Sequence, residues 1–347
     1  MLYPKIATNL SPFSCDVDRY TPKGYKAVLP IEEIICKVAS IPGLDAVELN
    51  YRNNVSEENV NSVRQILEQN RLGCANVSMN VWGEPRWKLG SLSNADSGIR
   101  REVIEFIIAG MRVAKQLNCS RVSIWPGQDG FDYPLAVNYA RMIDWFVEGL
   151  QVCADAVPDV RICIEYKPKE PRAFLLFDSA ARTMWMISKI SRPNVGVLLD
   201  VGHAWIAHEN AAQSAVLLQQ EGVLDHLHFN DNYGDWDWDM IPGALRIHEL
   251  IELMFWMQEI DYQGYYSIDI SSPRIDPVVA VTQSVNNLRR LYQFAESLNR
   301  DFLWDQIESQ NLIGGIGYVT ERLISPLNAG EPNSSVAMKS LPEIKVA

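Results

Sequence analysis

Residues 224–240 read LDHLHFNDNYGDWDWDM. The stretch opens as a strand with His226 and His228 at period two, which turns both imidazoles to one face. It breaks at Asn230-Asp231-Asn232 and enters a loop in which Asp235, Asp237 and Asp239 alternate with Trp236 and Trp238. Carboxylates that close repel one another unless a cation or solvent compensates. Taken alone, such a loop is a wet acidic turn. Its meaning changes once other strand ends are searched for acids.

Working outward, apolar runs read as strands at Lys5–Leu10, Ala46–Tyr51, Gly73–Val81, Arg121–Trp125, Arg161–Glu165, Val195–Asp200, Leu224–Phe229 and Tyr265–Ile270. Between and after them, helical spacing runs over Pro30–Val38, Asp96–Leu117, Leu135–Ala156, Ser179–Ile190, Ala211–Gln220, Leu245–Glu259 and Val278–Leu298, with a further helix starting at Ser56–Asn59. There the acids fall in a first turn, where the helix dipole favours them. Eight strands alternating with eight helices, most strands apolar on both faces, predict a parallel sheet buried on both sides. Over about 300 residues such a sheet closes as a (β/α)8 barrel, a TIM barrel. The competing doubly wound sheet wants a Gly-rich first βα turn, and the GGIGYV at Gly314 comes far too late. We expect residues 1–300 to form the barrel and 301–347 a short, partly irregular C-terminal arm. Trp304, Leu312 and Ile313 would pack that arm on the barrel or on a neighbouring subunit, and its Pro/Ser/Asn-rich end would be loose.

The chain has 347 residues, 47% of them hydrophobic, enough for a substantial core. A net charge of -12 argues against a phosphate-backbone partner, which calls for a basic footprint. Six cysteines without a CxxC pair suggest reduced, mostly buried thiols in a cytoplasmic protein. The N-terminus has no basic segment followed by an apolar run, so no signal peptide is expected, and no apolar stretch reaches membrane-helix length.

Barrels of this kind place their chemistry at the C-terminal strand ends. The fifth strand ends in Glu165-Tyr166-Lys167, the sixth in Asp200-Val201-Gly202-His203, the seventh in His228-Phe229-Asn230-Asp231, and the eighth contains Asp269. Glu165, Asp200, His228 and Asp269 thus converge from four neighbouring strands. Three carboxylates and one imidazole suit a divalent ion of the Mg2+, Mn2+ or Co2+ class better than zinc. Asp200 can bridge two ions, and with His203, Asp235 and Asp237 it would complete a second site.

These residues are similar to the xylose isomerase family and the related bacterial rhamnose isomerases. Glu165-Tyr-Lys-Pro-Lys-Glu-Pro-Arg172 resembles that family's E-P-K-P-N-E-P-R, and Asp200-Val-Gly-His203 resembles its E-x-G-H. His228 to Asp237 resembles the rhamnose-isomerase form of the seventh strand, in which a histidine holds the first metal and two loop aspartates the second. Segments 82–90 and 124–133 resemble the aromatic walls of the sugar pocket. The likeness spans roughly residues 40 to 290. It implies a metal-dependent aldose–ketose isomerase working by hydride shift. Lys167, His203, Glu165 and Asp269 would be catalytic, and Trp82, Trp125, Asn50, Lys167 and His203 would contact substrate. We also expect a homodimer or homotetramer acting on a small-molecule sugar, with no nucleic-acid or membrane partner.

The second strand ends Leu49-Asn50-Tyr51-Arg52, where xylose isomerases carry a histidine linked to sugar ring opening. Asn50 is neither acid nor base, and the family's long C-terminal arm is also much reduced here. Other activities built on this barrel stay open. One is an epimerase with one metal and a pair of carboxylate bases. Another is the catalytic subunit of a C-glycoside deglycosidase, an eliminase requiring a small partner subunit. The acidic surface and only five histidines (His203, His208, His226, His228 and His248) speak against a three-zinc nuclease. The concentration of ligands speaks against a binding protein without catalysis, and no G-x-S-x-G elbow or P-loop is present.

Overall fold

The computed structural model describes residues 4–170 and 173–324. Two compact units divide the chain after Ala295. The first is a closed eight-stranded barrel. Its strands are β1 (Lys5–Thr8), β2 (Ala46–Tyr51), β3 (Gly73–Met79), β4 (Arg121–Ile124), β5 (Arg161–Glu165), β6 (Val195–Asp200), β7 (Leu224–Phe229) and β8 (Tyr265–Ile268). Each is parallel to its sequence neighbour, and β1 pairs with β8 to close the ring, Lys5 opposite Tyr265 and Thr8 opposite Ile268.

The barrel helices are α1 (Ile31–Ala39), α2 (Val60–Gln69), α3 (Ser97–Gln116), α4 (Tyr139–Ala156), α5 (Ala180–Ile190), α6 (Ala211–Gln220), α7 (Ile247–Glu259) and α8 (Pro277–Glu296). On α3, Val103, Ile107, Met111 and Ala114 form the buried stripe, at the spacing a core-facing helix requires. Asp96, Asn138, Ser179 and Asn210 cap α3 to α6 by accepting from backbone N–H groups of the first turn.

Two helix starts differ from expectation. α4 begins at Tyr139, not Leu135, because Leu135 is left-handed (φ 65°) and 98% exposed while Asn138 supplies the cap. α2 begins after Ser56–Asn59, which form a turn closed by the Ser56 N–H donating to Asn59 Oδ1 at 2.7 Å. β8 stops at Ile268, so Asp269 is the first residue past the strand. Its N–H still donates to the Phe229 carbonyl at 3.2 Å, which holds it level with the end of β7.

Some elements carry no signal in the sequence. A small antiparallel sheet joins Gly130–Phe131, Ala173–Leu175 and Lys169–Glu170 above the barrel. A short helix, Val201–Ile206, follows β6 directly, capped by Asp200.

Two bulges shape the interior. Val47 pairs with Cys74 but Glu48 with Asn76, leaving Ala75 as the extra residue. Leu224 pairs with Val197 but His226 with Leu198, leaving Asp225 extra. A bulge re-aims the residues beyond it. The first sets Asn76 against Glu48, and the second turns Asp225 to the Arg161 guanidinium at 2.6 Å.

The second unit contains helices Arg300–Glu308 and Gly314–Ile324, and Asn299 N–H donates to Tyr318 Oη within it. The expected arm is therefore helical over these spans, and its Pro/Ser/Asn-rich end lies outside the described residues. Among the described residues no helix is long and apolar enough to cross a membrane. All six cysteines are free, with Cys119, Cys153 and Cys163 buried and Cys36 exposed.

Candidate active site and metal centre

A cavity of about 290 Å3 opens at the C-terminal end of the barrel. Its floor holds Glu165 at the end of β5, Asp200 at the end of β6, His228 on β7 and Asp269 just past β8. One ligand atom from each lies within 4.8 Å of the others. Nδ1 of His228 is 2.9 Å from Asp269 Oδ2, 3.4 Å from Glu165 Oε1 and 3.8 Å from Asp200 Oδ2. That buried nitrogen is aligned for a hydrogen bond with none of them. Three carboxylates turned on one orphaned imidazole nitrogen fit a hard divalent cation. Burial and the neighbouring carboxylates push Asp200 up to about 6, the mark of negative charge short of a counter-ion.

The surroundings of Asp200 are built to hold it. Asn230 Nδ2 donates to both its oxygens at 3.1 and 2.9 Å, and the His203 N–H donates to Oδ1 at 2.8 Å. Gly202 lies so close that a Cβ there would meet Asn230 Oδ1 at 1.9 Å. Only glycine fits without displacing the asparagine that positions Asp200.

Beneath this floor lies a layer that strand-end reasoning missed. Glu48, buried in the middle of β2, receives His226 Nε2 at 2.7 Å and His228 Nε2 at 3.1 Å, with Ser267 Oγ and Asn76 Nδ2 as further donors. A search confined to the ends of strands passes over it. The available signal was a lone acid inside the apolar run Ala46-Val-Glu-Leu. Glu48, His226 and His228 also bring ligand atoms within 4.8 Å. There, however, the carboxylate is already filled by donors, and the Arg121 guanidinium sits 3.2 Å from His226 Nδ1. A layer saturated with donors and lined by a guanidinium favours hydrogen bonding over a second cation.

Beside the floor, Asp237 Oδ2 meets Lys167 Nζ at 2.8 Å and His203 Nε2 at 3.2 Å, and Lys167 also pairs with Glu170. Burial opposes charge on His203, but Asp200 and Asp237 outweigh it and lift the imidazole to about 9. Burial likewise opposes charge on Lys167, and Asp237 and Glu170 reverse it, so the ammonium stays charged. Lys167 Nζ lies 5.0 Å over the Trp125 ring, which meets Trp82 edge-on at 5.1 Å. Buried Asp129 holds this wall together by accepting from the N–H groups of Ser91 and Ser93 at 2.9 and 2.8 Å.

The model of the xylose isomerase-like TIM barrel family matches residues 36–293. The chain belongs to this family. A probable sugar isomerase of Mesorhizobium japonicum is 26% identical over 256 residues, 70% of this chain and 59% of that protein, so the chain spans little more than half the relative's length. Among solved structures, a D-tagatose 3-epimerase-like protein superimposes with a TM-score of 0.66 at 20% identity, covering 84% of this chain and 98% of that one. The 3-keto-D-glucoside 4-epimerase of E. coli gives 0.65 at 17%, covering 83% and 99%. At these identities the structural likeness speaks to the fold.

In this member of the xylose isomerase-like family, the cavity gathers Glu165, Lys167, His203, His228, Asp237 and Asp269, with Asp200 buried beneath and Trp82, Trp125 and Asn50 on the walls. Asp235 stands apart. It is exposed and accepts from Trp238 Nε1 at 2.9 Å. Asp239, which sequence reasoning gave no role, faces the cavity instead, its carboxyl pushed well up by burial and by Asp237, Asp269 and Asp200. Its neighbours are pinned by the Ser271 N–H donating to the Asp239 carbonyl at 3.0 Å. Arg172 of the fifth-strand motif lies outside the described residues.

Proposed function

We propose that this barrel is a divalent-metal-dependent sugar isomerase that interconverts an aldose and a ketose. The observation that carries the reading is the convergence of Glu165, Asp200, His228 Nδ1 and Asp269 on one point of a sugar-sized cavity, beside a buried, charged Lys167. Those four residues would hold Mn2+, Mg2+ or Co2+, and a bound ion of this class polarises a carbonyl oxygen as a Lewis acid. His203 and Asp237, with Asp239 as a further carboxylate, offer ligands for a second ion.

The chain's own groups supply the rest. Lys167, fixed by Asp237 and Glu170, donates to the substrate carbonyl oxygen and stabilises the negative charge that develops there. Asp237, paired with Lys167 Nζ and hydrogen-bonded to His203 Nε2, holds both donors in place at the cavity. Trp125 and Trp82 cover the apolar face of the sugar and exclude water. The relative described as a probable sugar isomerase supports this assignment.

One observation favours a second reading. Glu165 and Asp269 reach His228 Nδ1 as a pair of carboxylates, the arrangement a proton-transferring epimerase uses, and the structural neighbours include a 3-epimerase-like protein and a 4-epimerase. Metal analysis, followed by assay of the EDTA-treated and Mn2+-, Mg2+- or Co2+-restored protein on a panel of aldoses and ketoses, decides between them. We expect loss and recovery of aldose–ketose conversion. Full activity in the chelated protein would end the metal reading, and C3 or C4 epimers as products would replace isomerase by epimerase.

A further inference from the structure

The layer at the bottom of the cavity contains a chain of hydrogen bonds whose donors and acceptors can be assigned from one fixed end. Arg121 can only donate, so His226 Nδ1, 3.2 Å from its Nη1, accepts. His226 therefore carries its proton on Nε2 and donates it to Glu48 Oε1 at 2.7 Å. Ser267 Oγ donates to that same oxygen, and Asn76 Nδ2 donates to Oε2 at 2.8 Å. A carboxylate with three donors already facing it is held as a pure acceptor. The fourth group facing Glu48, Nε2 of His228 at 3.1 Å, must then also be a donor. In the neutral ring that ligation requires, its partner nitrogen Nδ1 then carries the lone pair, aimed at Glu165, Asp200 and Asp269.

We propose that Glu48 is a positioning residue that fixes the His228 tautomer, presenting Nδ1 rather than Nε2 as the metal ligand. The inference rests on the metal reading of Glu165, Asp200, His228 and Asp269. Histidine ligands are oriented by the group that takes their other N–H, and a carboxylate there also raises ligand basicity. Here the orienting carboxylate comes from β2, three strands round the barrel from β7, and Arg121 sets its hydrogen-bond pattern through His226. A neutral amide at position 48 would offer its own N–H to one of the two rings, and that ring would have to turn over or give up its bond.

The test measures Co2+ and Mn2+ affinity of the metal-free full-length protein by calorimetry in wild type, Glu48→Gln and Ser267→Ala. Glu48→Gln should bind about 10- to 100-fold more weakly, the usual loss when such an orienting group is removed. Ser267→Ala keeps the carboxylate and its bond to His228 and should stay close to wild type. Equal affinity in Glu48→Gln overturns the proposal, and so does an equal drop in Ser267→Ala, which would assign the effect to packing of the layer. A second measurement needs no variant. In wild-type protein labelled with 15N-histidine and saturated with Mg2+, His228 should show a protonated Nε2 and a ligated Nδ1. Ligation through Nε2, or a perturbed His226 ring, places the ion in the lower layer and overturns the assignment. A wild-type protein that binds no divalent ion removes the metal reading itself, an outcome distinct from failure of the tautomer lock.

Discussion

Lys167 Nζ lies 2.8 Å from Asp237 Oδ2, which ties the segment after β5 to the loop after β7 across the cavity. Both side chains are largely buried, so the pair is little screened. Asp237→Asn should leave Lys167 charged through Glu170 but free to swing from the position in which it meets substrate. We expect a fall of about 100-fold in kcat, in line with loss of one preorganised electrostatic contact. Stability should drop by about 1.5–3 kcal/mol, the range for a hydrogen bond to a charged group. Steady-state kinetics with a thermal melt check both. A wild-type kcat would mean that Asp237 is only a structural anchor.

The pH dependence follows from His203. Its pKa rises from the unfolded value of about 6.5 to about 9 in the metal-free fold. The native state then binds more protons than the unfolded chain between those values, so stability decreases as pH rises. The contribution is fully present below about 6.5 and is lost as pH climbs through 9; His228, raised in the same sense, adds to it. The melting temperature of metal-free protein should therefore fall from pH 7 to 9.5. Affinity for Mn2+ should climb over the same interval, because ligation needs the imidazoles deprotonated. A melting temperature that rises with pH would contradict the charged His203–Asp237 pair.

Trp125 offers two separable contributions. Its ring lies under Lys167 Nζ, and its Nε1–H is buried with no partner among the described residues. A buried donor left open at a cavity wall is suited to a sugar hydroxyl. Trp125→Phe keeps an aromatic face and loses the donor, and KM should rise about fivefold, the equivalent of one hydrogen bond near 1 kcal/mol. Trp125→Ala should raise KM further and lower kcat as water enters. Identical kinetics in the Phe variant would assign the indole to wall packing alone.

These sites differ in how far the sequence discloses them. β5 and β6 run apolar into an acid at the exit and β7 carries His228 one residue before its end, so both barrel and floor ligands can be listed from strand ends. The small sheet at 130–131, 169–170 and 173–175 has strands of two or three residues, too short for any period to show. In Asp235-Trp-Asp-Trp-Asp239 the alternation is visible, but a loop has no fixed face. Which acids turn inward is decided by the bridge between Asp231 and Met240 and by left-handed Asp239 (φ 45°). Glu48 escaped for the opposite reason. It sits in mid-strand, and its partners lie 178, 180 and 219 residues away, at distances only barrel closure can bridge.

Asn50 provides the sharpest division between isomerase and epimerase. Its side chain lines the cavity with Oδ1 buried and, among the described residues, unpartnered, while its N–H donates to Asn54 Oδ1 at 2.8 Å. An amide can hold a sugar hydroxyl but cannot supply a base to open a pyranose ring. The enzyme should then favour sugars with an appreciable open-chain or furanose fraction, and Asn50→His should speed turnover of pyranose-dominated aldoses. Deuterium at carbon two of an accepted aldose follows the hydrogen itself. Between Trp82, Trp125 and the buried floor, transfer from carbon two to carbon one without solvent contact should leave the label in the ketose. The alternative places the hydrogen as a proton on Glu165 or Asp269, carboxylates that exchange with water. Product isolated from light water and analysed by mass spectrometry should therefore retain deuterium, in wild type and in Asn50→His alike. Washout into solvent would assign those two carboxylates as bases and replace the hydride shift by proton transfer, the chemistry on which the epimerase reading rests.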